Sequence, residues 1–305
     1  MLDKFWESLG EDLAKRWVEH LFGPAGLFWL GGALLALIQG LAQPWVDSFL
    51  NLSTWLQGAV ALFAIAGVVG SAQVVRLFVF PLLRLLEGYW WSPLSKPFIH
   101  LQAQRWEKRR ERAWALKKKQ LNGESLSLQE KQELTDLETW VHQYPVQRDD
   151  LLPTPLGNLL RARERAPRTR YGLDAVVCWA RLWGLLPPDL REDLLSARAA
   201  LNRRVEAFAW GLLFLLWGWV SWLAIPVGLV WMGFAYYQAC LAAAPYGDLI
   251  ETAFDLYRFR LYDALGWARP ADSASEKAHG EALSEFLWRG TLKEPIRYPG
   301  KPGQE

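Results

Sequence analysis

Hydrophobic positions in this chain gather into long uncharged blocks, and the polar stretches between them carry the 3.6-residue period of amphipathic helices. In the longest block, residues 207–247, no charged side chain intervenes between Glu206 and Asp248. One crossing of a bilayer core takes about 20 apolar residues, so this block is long enough for two short spans and a reversal. Pro226 lacks a helix donor and biases its predecessor away from helix. The pattern therefore predicts a reversal at Ala224-Ile225-Pro226, with one span ending before Pro226 and another starting there. Upstream, residues 21–46 are uncharged with an apolar heart at 27–41, and a further apolar run covers residues 55–75. Gly32, Ala36 and Gly40 recur every fourth residue in the first of these, and Ala66, Gly67, Gly70 and Ser71 give the second its own small face. Such faces let helix backbones approach closely in lipid, where packing rather than water drives association.

The polar stretches predict helices of another kind. Phe5, Leu9, Leu13, Trp17 and Leu21 mark an amphipathic helix over residues 1–20. Residues 101–142 read as a charged antiparallel hairpin that turns at Asn122-Gly123, and its second arm opens with the capping pair Ser127 and Glu130. Thr154-Pro155 supplies an N-cap and a first-turn proline for a short helix through Arg165. A helix over 172–186 follows, and Pro187-Pro188-Asp189 starts a long helix that continues into the third span. Asp248 opens an amphipathic helix to about Leu265. The chain beyond Gly266 reads as polar and loop-rich, with a weak helix at about 281–288. The expected fold class is all-α, with four transmembrane helices as two hairpins and a cytosolic helical domain between them. The expected divisions are 1–100, 101–206, 207–247 and 248–305.

Charge distribution supplies an orientation that the net charge of +2 does not. Lys and Arg number 3 in residues 1–20, 23 in 76–206 and 8 from 248 onward, against none in 42–54 and 224–226. By the positive-inside rule the polar parts and both termini are expected in the cytosol. Tryptophan numbers 19, and Trp45, Trp55, Trp90, Trp91, Trp219 and Trp222 fall at predicted span ends, where an indole meets both lipid and water. Two cysteines, Cys178 and Cys240, cannot build a disulfide framework, which fits a reduced compartment. Residues 1–20 show no cleavable-leader pattern, so the first span is expected to be retained.

Candidate chemistry is sparse. His20, His100, His142 and His279 lack companions at metal-ligand spacing, and no phosphate-cradling glycine loop, G-x-S-x-G or H-E-x-x-H occurs. No cofactor and no metal is expected. Within the predicted spans the strongly polar side chains are Gln39, Gln43, Gln57, Gln73 and Gln238, whose bland reading is bridging between helices. The basic run 105–119 invites a nucleic-acid or lipid reading. Its capped partner arm, however, carries Glu130, Glu133, Asp136 and Glu138, and mutual compensation accounts for most of that charge. Asp248, Glu251, Asp255 and Arg258 form one stripe, opposite Ile250, Phe254, Tyr257 and Leu261. A membrane-surface helix suits this stripe better than a cation site. The sharper candidate is Arg161, Arg163, Arg165, Arg168 and Arg170 with only Glu164 among them, joined by Tyr171 and Arg181. A helix returning about 22 Å from Leu186 to Gly172 would bring Arg168, Arg170 and Tyr171 near lipid headgroups. There, each base gains about 1 kcal/mol from anionic lipid. The bland alternative pairs these arginines with Asp149, Asp150, Asp174 or the carboxylates after residue 247.

The passages Leu152-Pro153-Thr154-Pro155-Leu156-Gly157-Asn158, Tyr171-Gly172-Leu173-Asp174-Ala175-Val176 and Tyr246-Gly247-Asp248 through Arg258 resemble those of a family of uncharacterised bacterial multi-pass membrane proteins. The resemblance covers roughly residues 150–265 and implies a bacterial inner membrane, with no catalytic residue to transfer. The resulting expectation is a membrane-anchored scaffold or interaction protein whose cytosolic helices meet a partner or anionic phospholipid. A homo-oligomeric channel or a subunit of a membrane transport complex is the alternative, and a lipid-acting enzyme the third reading.

Overall fold

The computed structural model describes residues 23–290, and the amphipathic helix expected over residues 1–20 lies outside them. Among the described residues every regular element is helical. In chain order these are α1 (Pro24–Ile38), α2 (Gln43–Leu50), α3 (Thr54–Leu77), α4 (Val79–Glu87), α5 (Ser92–Leu121), α6 (Leu128–His142), α7 (Pro155–Tyr171), α8 (Ala175–Trp183), α9 (Pro188–Phe214), α10 (Ala224–Ala264) and α11 (Ser273–Arg289). Short 3₁₀ turns occupy Arg148–Asp150 and Leu215–Trp219. The chain divides into two compact units: residues up to Leu83 with Asn202–Ala239, and Arg84–Leu201 with Cys240 onward.

In the first unit, α1 begins with a proline in its first turn, where the missing N–H would be unpaired anyway. It stops at Gly40, whose φ of 71° suits a residue without Cβ, and α2 leaves at 104° to it. Gln57 Nε2 then donates to the carbonyls of Phe49, Leu50 and Leu52, closing the otherwise open end of α2. The core is aromatic. Phe28 meets Trp210, Phe214 and Trp217 at centroid separations of 5.1, 6.3 and 5.9 Å, and Ala25, Ala72 and Val75 complete it. The α9–α10 contact is drawn close by two glycines. A Cβ on Gly211 would lie 3.0 Å from Met232 N, and one on Gly228 would lie 2.6 Å from Leu215 Cδ2.

α3 has 24 residues with mean hydropathy 2.0 and α10 has 41 with 1.4, and both are long and apolar enough to cross a membrane. Only 11% and 22% of their apolar windows are buried, so most of this surface faces away from the protein. The bent pair α1 and α2 makes a third crossing if counted as one. The reversal differs from its predicted place. The chain turns at residues 220–223, and α10 already starts at Ala224, with Pro226 accommodated in its first turn.

The second unit holds the α5–α6 hairpin and a bundle of α7, α8 and α11 with the charged parts of α9 and α10. The hairpin follows its sequence signature. Ser127 Oγ accepts from Glu130 N at 3.2 Å and Glu130 Oε2 accepts from Ser127 N at 3.0 Å; the latter bond, with that from Lys119, holds the Glu130 carboxyl below its usual range. Arg112–Glu133, Lys117–Glu138 and Lys119–Glu130 join the arms at 2.8, 2.8 and 3.1 Å. The bundle core gathers Leu173, Cys178, Leu182 and Leu186 with Phe254, Leu261, Tyr262, Trp267 and Leu283.

Three expectations need correction here. The segment from Asp248 is not a separate helix, because α10 runs unbroken through Pro245 to Ala264. Its apolar face is not laid on a membrane either: Phe254 and Leu261 are fully buried in the bundle core, and Ile250 and Tyr257 pack against it. Finally, the region beyond Gly266 carries the 17-residue α11, opened by a reciprocal cap between Asp272 and Ser275. Mid-helix Gly280 lowers helix propensity by about 1 kcal/mol, which confines a local reading to the weak helix at about 281–288. Tertiary contact explains that glycine, since its Cβ would fall 1.9 Å from Tyr171 O.

Candidate functional site

The arginine-rich helix α7 is positioned at both ends by its own sequence. Thr154 Oγ1 accepts from Gly157 N at 3.1 Å, and Gly172 terminates the helix with a φ of 73°. Asn158, fully buried, pairs with both the N–H and the carbonyl of Leu152 and ties the helix to its entry. Against the carbonyl of Glu87 the fit allows only glycine at position 157, where a Cβ would approach to 1.9 Å.

The arginines divide between two faces of α7. Arg163 meets Asp248 at 2.7 Å and Glu251 at 2.9 Å, and Arg170 meets Glu251 at 2.5 Å and Asp255 at 3.5 Å. The Tyr171 hydroxyl donates to Asp255 at 2.8 Å, and burial, reinforced by that carboxylate, pushes its pKa upward. Arg258 lies over the Tyr171 ring at 4.2 Å and pairs with buried Glu276 at 2.7 Å. The Asp248 stripe is therefore an ion-pair seam between α10 and α7, and it engages Arg163, Arg170 and Tyr171. Arg161, Arg165 and Arg168 lie on the other face. Their carboxylate contacts are Glu164 at 3.4 Å, Asp150 at 3.1 Å and Asp174 at 3.7 Å. They line a groove of about 630 Å3 with Arg289, Ser284 and Trp288 of α11 and the start of α8. Arg181 is not brought to it, and its Nη1 donates to Val177 O on its own helix. The returning helix is also shorter than expected, since nine-residue α8 covers about 13 Å.

The helix-packing candidates separate likewise. A Cβ at Gly32 would lie 1.9 Å from the Trp217 ring, so this glycine is a contact, and Ala36 is half-buried beside it in sequence. Gly40 ends α1, and a Cβ at Gly40, Gly67 or Gly70 meets nothing within 4 Å among the described residues. α3 meets α1 elsewhere, through Ser71, which accepts from Trp29 Nε1 at 3.1 Å, and through Ala72 and Val75. Gln39, in the turn after α1, donates to Ser221 in the reversal before α10 at 3.3 Å.

Among the described residues no cluster of three His, Cys, Asp or Glu could hold a metal. Cys178 is fully buried, and burial pushes its thiol up to about 11, a microenvironment of low reactivity. A second groove, of about 960 Å3, runs along the hairpin between Trp106, Trp114 and Lys117 of α5 and Thr135, Glu138 and His142 of α6. Glu276, Ser284, Trp288 and Arg289 were not singled out from the sequence, because the weak helix expected at about 281–288 missed the first two turns of α11. The Asp272/Ser275 cap was the available signal.

Comparison of the chain with known protein families, with curated proteins and with solved structures finds no match.

Proposed function

We propose that the chain is a multi-pass membrane scaffold of the bacterial inner membrane, with four crossings and both termini cytosolic, whose helical second unit meets a partner or anionic phospholipid. The observation that carries this reading is the continuity of α10, which passes without a break from an outward-facing apolar half into the buried core of the charged bundle. A bundle built onto the continuation of an apolar helix is held at a membrane by its own backbone. The fourth crossing would be the uncharged end of α9 with the following 3₁₀ turn. This is a short segment, of the kind that a locally thinned bilayer accommodates. Exposed Trp45, Trp55, Trp219 and Trp222 fit the interface at its two reversals.

The α5–α6 hairpin offers the partner surface, because Trp114 is 63% exposed beside a groove that no other element fills among the described residues. A photo-crosslinking residue at Trp114, in membranes of cells making the full chain, should give one discrete adduct, absent when the residue is moved to Lys118. Protein-dependent solute flux in liposomes, with no adduct, would replace the scaffold by the channel reading. One observation favours that second reading: the open Gly67 and Gly70 face on α3 is suited to another copy. The oligomeric state in detergent tests it.

A further inference from the structure

The groove between α7, the start of α8 and α11 differs from the ion-pair seam in how its guanidinium groups are used. In the seam, Arg163 and Arg170 each hold two carboxylates, with nearest approaches of 2.7 and 2.5 Å. Along the groove, Arg161, Arg165, Arg168 and Arg289 each meet one carboxylate oxygen, at 3.4, 3.1, 3.7 and 3.6 Å. Two of these four pairs, Arg161–Glu164 and Arg289–Glu285, join neighbours on one helix turn and fix nothing across the groove. A guanidinium carries five donors. The Nε of Arg161 is buried with no acceptor, and an unmet buried donor costs free energy that an acceptor-rich ligand would recover, whereas that of Arg165 stands 3.1 Å from Asp150 Oδ1. Arg163 Nε is unmet as well, but its terminal nitrogens are engaged by Asp248 and Glu251.

The groove is not a cationic basin. Glu164, Asp174, Glu281 and Glu285 line it in the same number as the four arginines. A diffuse polyanion gains little from such a surface. A compact group with several acceptor oxygens does gain, because guanidinium donors match phosphate in geometry as well as charge. At the same groove Trp288 is 74% and Val176 is 68% exposed, and they offer an apolar rest for whatever carries that group.

We infer that this groove binds a phosphate group borne on an apolar or aromatic carrier, with Arg161, Arg165 and Arg168 as its donors and Trp288 beneath the carrier. Its two sources are a phospholipid headgroup and a soluble phosphate ester. The inference sharpens the anionic-lipid part of the proposed function and rests on that reading for the lipid source alone.

The test uses the full chain in a maltoside detergent and two probes, phenyl phosphate and a short-chain phosphatidylglycerol, each followed by phosphorus NMR line broadening. Benzoate, followed by proton NMR, is the single-carboxylate control. Saturable broadening of at least one phosphate probe is expected, at least tenfold stronger in apparent affinity than benzoate. Phenyl phosphate alone would assign a soluble ester, and phosphatidylglycerol alone or both would assign a headgroup. Arg161→Gln with Arg168→Gln should weaken binding at least tenfold, whereas Arg269→Gln, which like its partner Asp263 does not line the groove, should not. Should the double variant fail to fold, Arg289→Gln alters a 67% exposed side chain and should weaken binding about threefold in a folded protein. Absence of saturable broadening, or wild-type binding by the folded variants, overturns the site. Neither result touches the membrane topology, which cysteine labelling reads separately.

Discussion

Single atoms decide several positions in this protein. A Cβ on Gly280 would lie 1.9 Å from Tyr171 O, and one on Gly172 would lie 2.0 Å from Lys277 O, so α7 and α11 meet backbone to backbone. Backbone cannot rotate aside as a side chain does. Gly280→Ala is expected to cost about 1–3 kcal/mol by overpacking, read as a lowered midpoint in thermal unfolding. Wild-type stability would mean that α11 rides loosely on α7. Glu87 is a residue-scale case of opposite character. Its burial raises the carboxyl above its ordinary value of 4.5, although Arg84 and Arg198 pull it down. A raised carboxyl favours the protonated fold, so its stabilising contribution is complete below the unfolded value and is lost as pH rises through the folded one. The melting temperature of Glu87→Gln minus that of the wild type should therefore increase from pH 4 to pH 7. A decrease would show that the Arg84 pair, at 3.3 Å, outweighs desolvation.

At the scale of elements, packing in the apolar unit separates contacts from surface. Gly32 on α1 is filled by the Trp217 ring, whereas Gly67 on α3 opens outward. Gly32→Leu should lower the unfolding midpoint in detergent by several degrees, and Gly67→Leu should leave the monomer unchanged. If Gly67→Leu instead shifts the protein to a smaller assembly on size exclusion, a second copy covers α3. The spacing rule identified both glycines alike because it counts residues along one helix. It has no access to which neighbour arrives.

For the whole molecule the test is topological. Cysteines at Asn51 and Trp222, both exposed, should be labelled in intact cells by an impermeant thiol reagent, and one at Ser125 should not, in a chain whose Cys178 and Cys240 are alanine. Ser221 is unsuitable for this purpose, being 4% exposed and bonded to Gln39. Labelling at Ser125 would reverse the orientation drawn from the Lys and Arg counts.

Local physics made much of the chain legible from its residues. Apolar blocks long enough for lipid, the Ser127 and Thr154 caps, the proline at the start of α9 and the compensated charge of the α5–α6 hairpin all depend on neighbours within a few turns. Tertiary structure decided what depends on distant partners. It turned the Asp248 stripe inward because Arg163 and Arg170 lay across from it, and it separated those two from Arg161, Arg165 and Arg168, which one stretch of helix presents on different faces. It also ordered α11 around Gly280, where the close approach of Tyr171 outweighed a weak local preference for helix. Sequence spacing reports which side of a helix a residue occupies, whereas the partner on that side is set by chain segments folded in from far away.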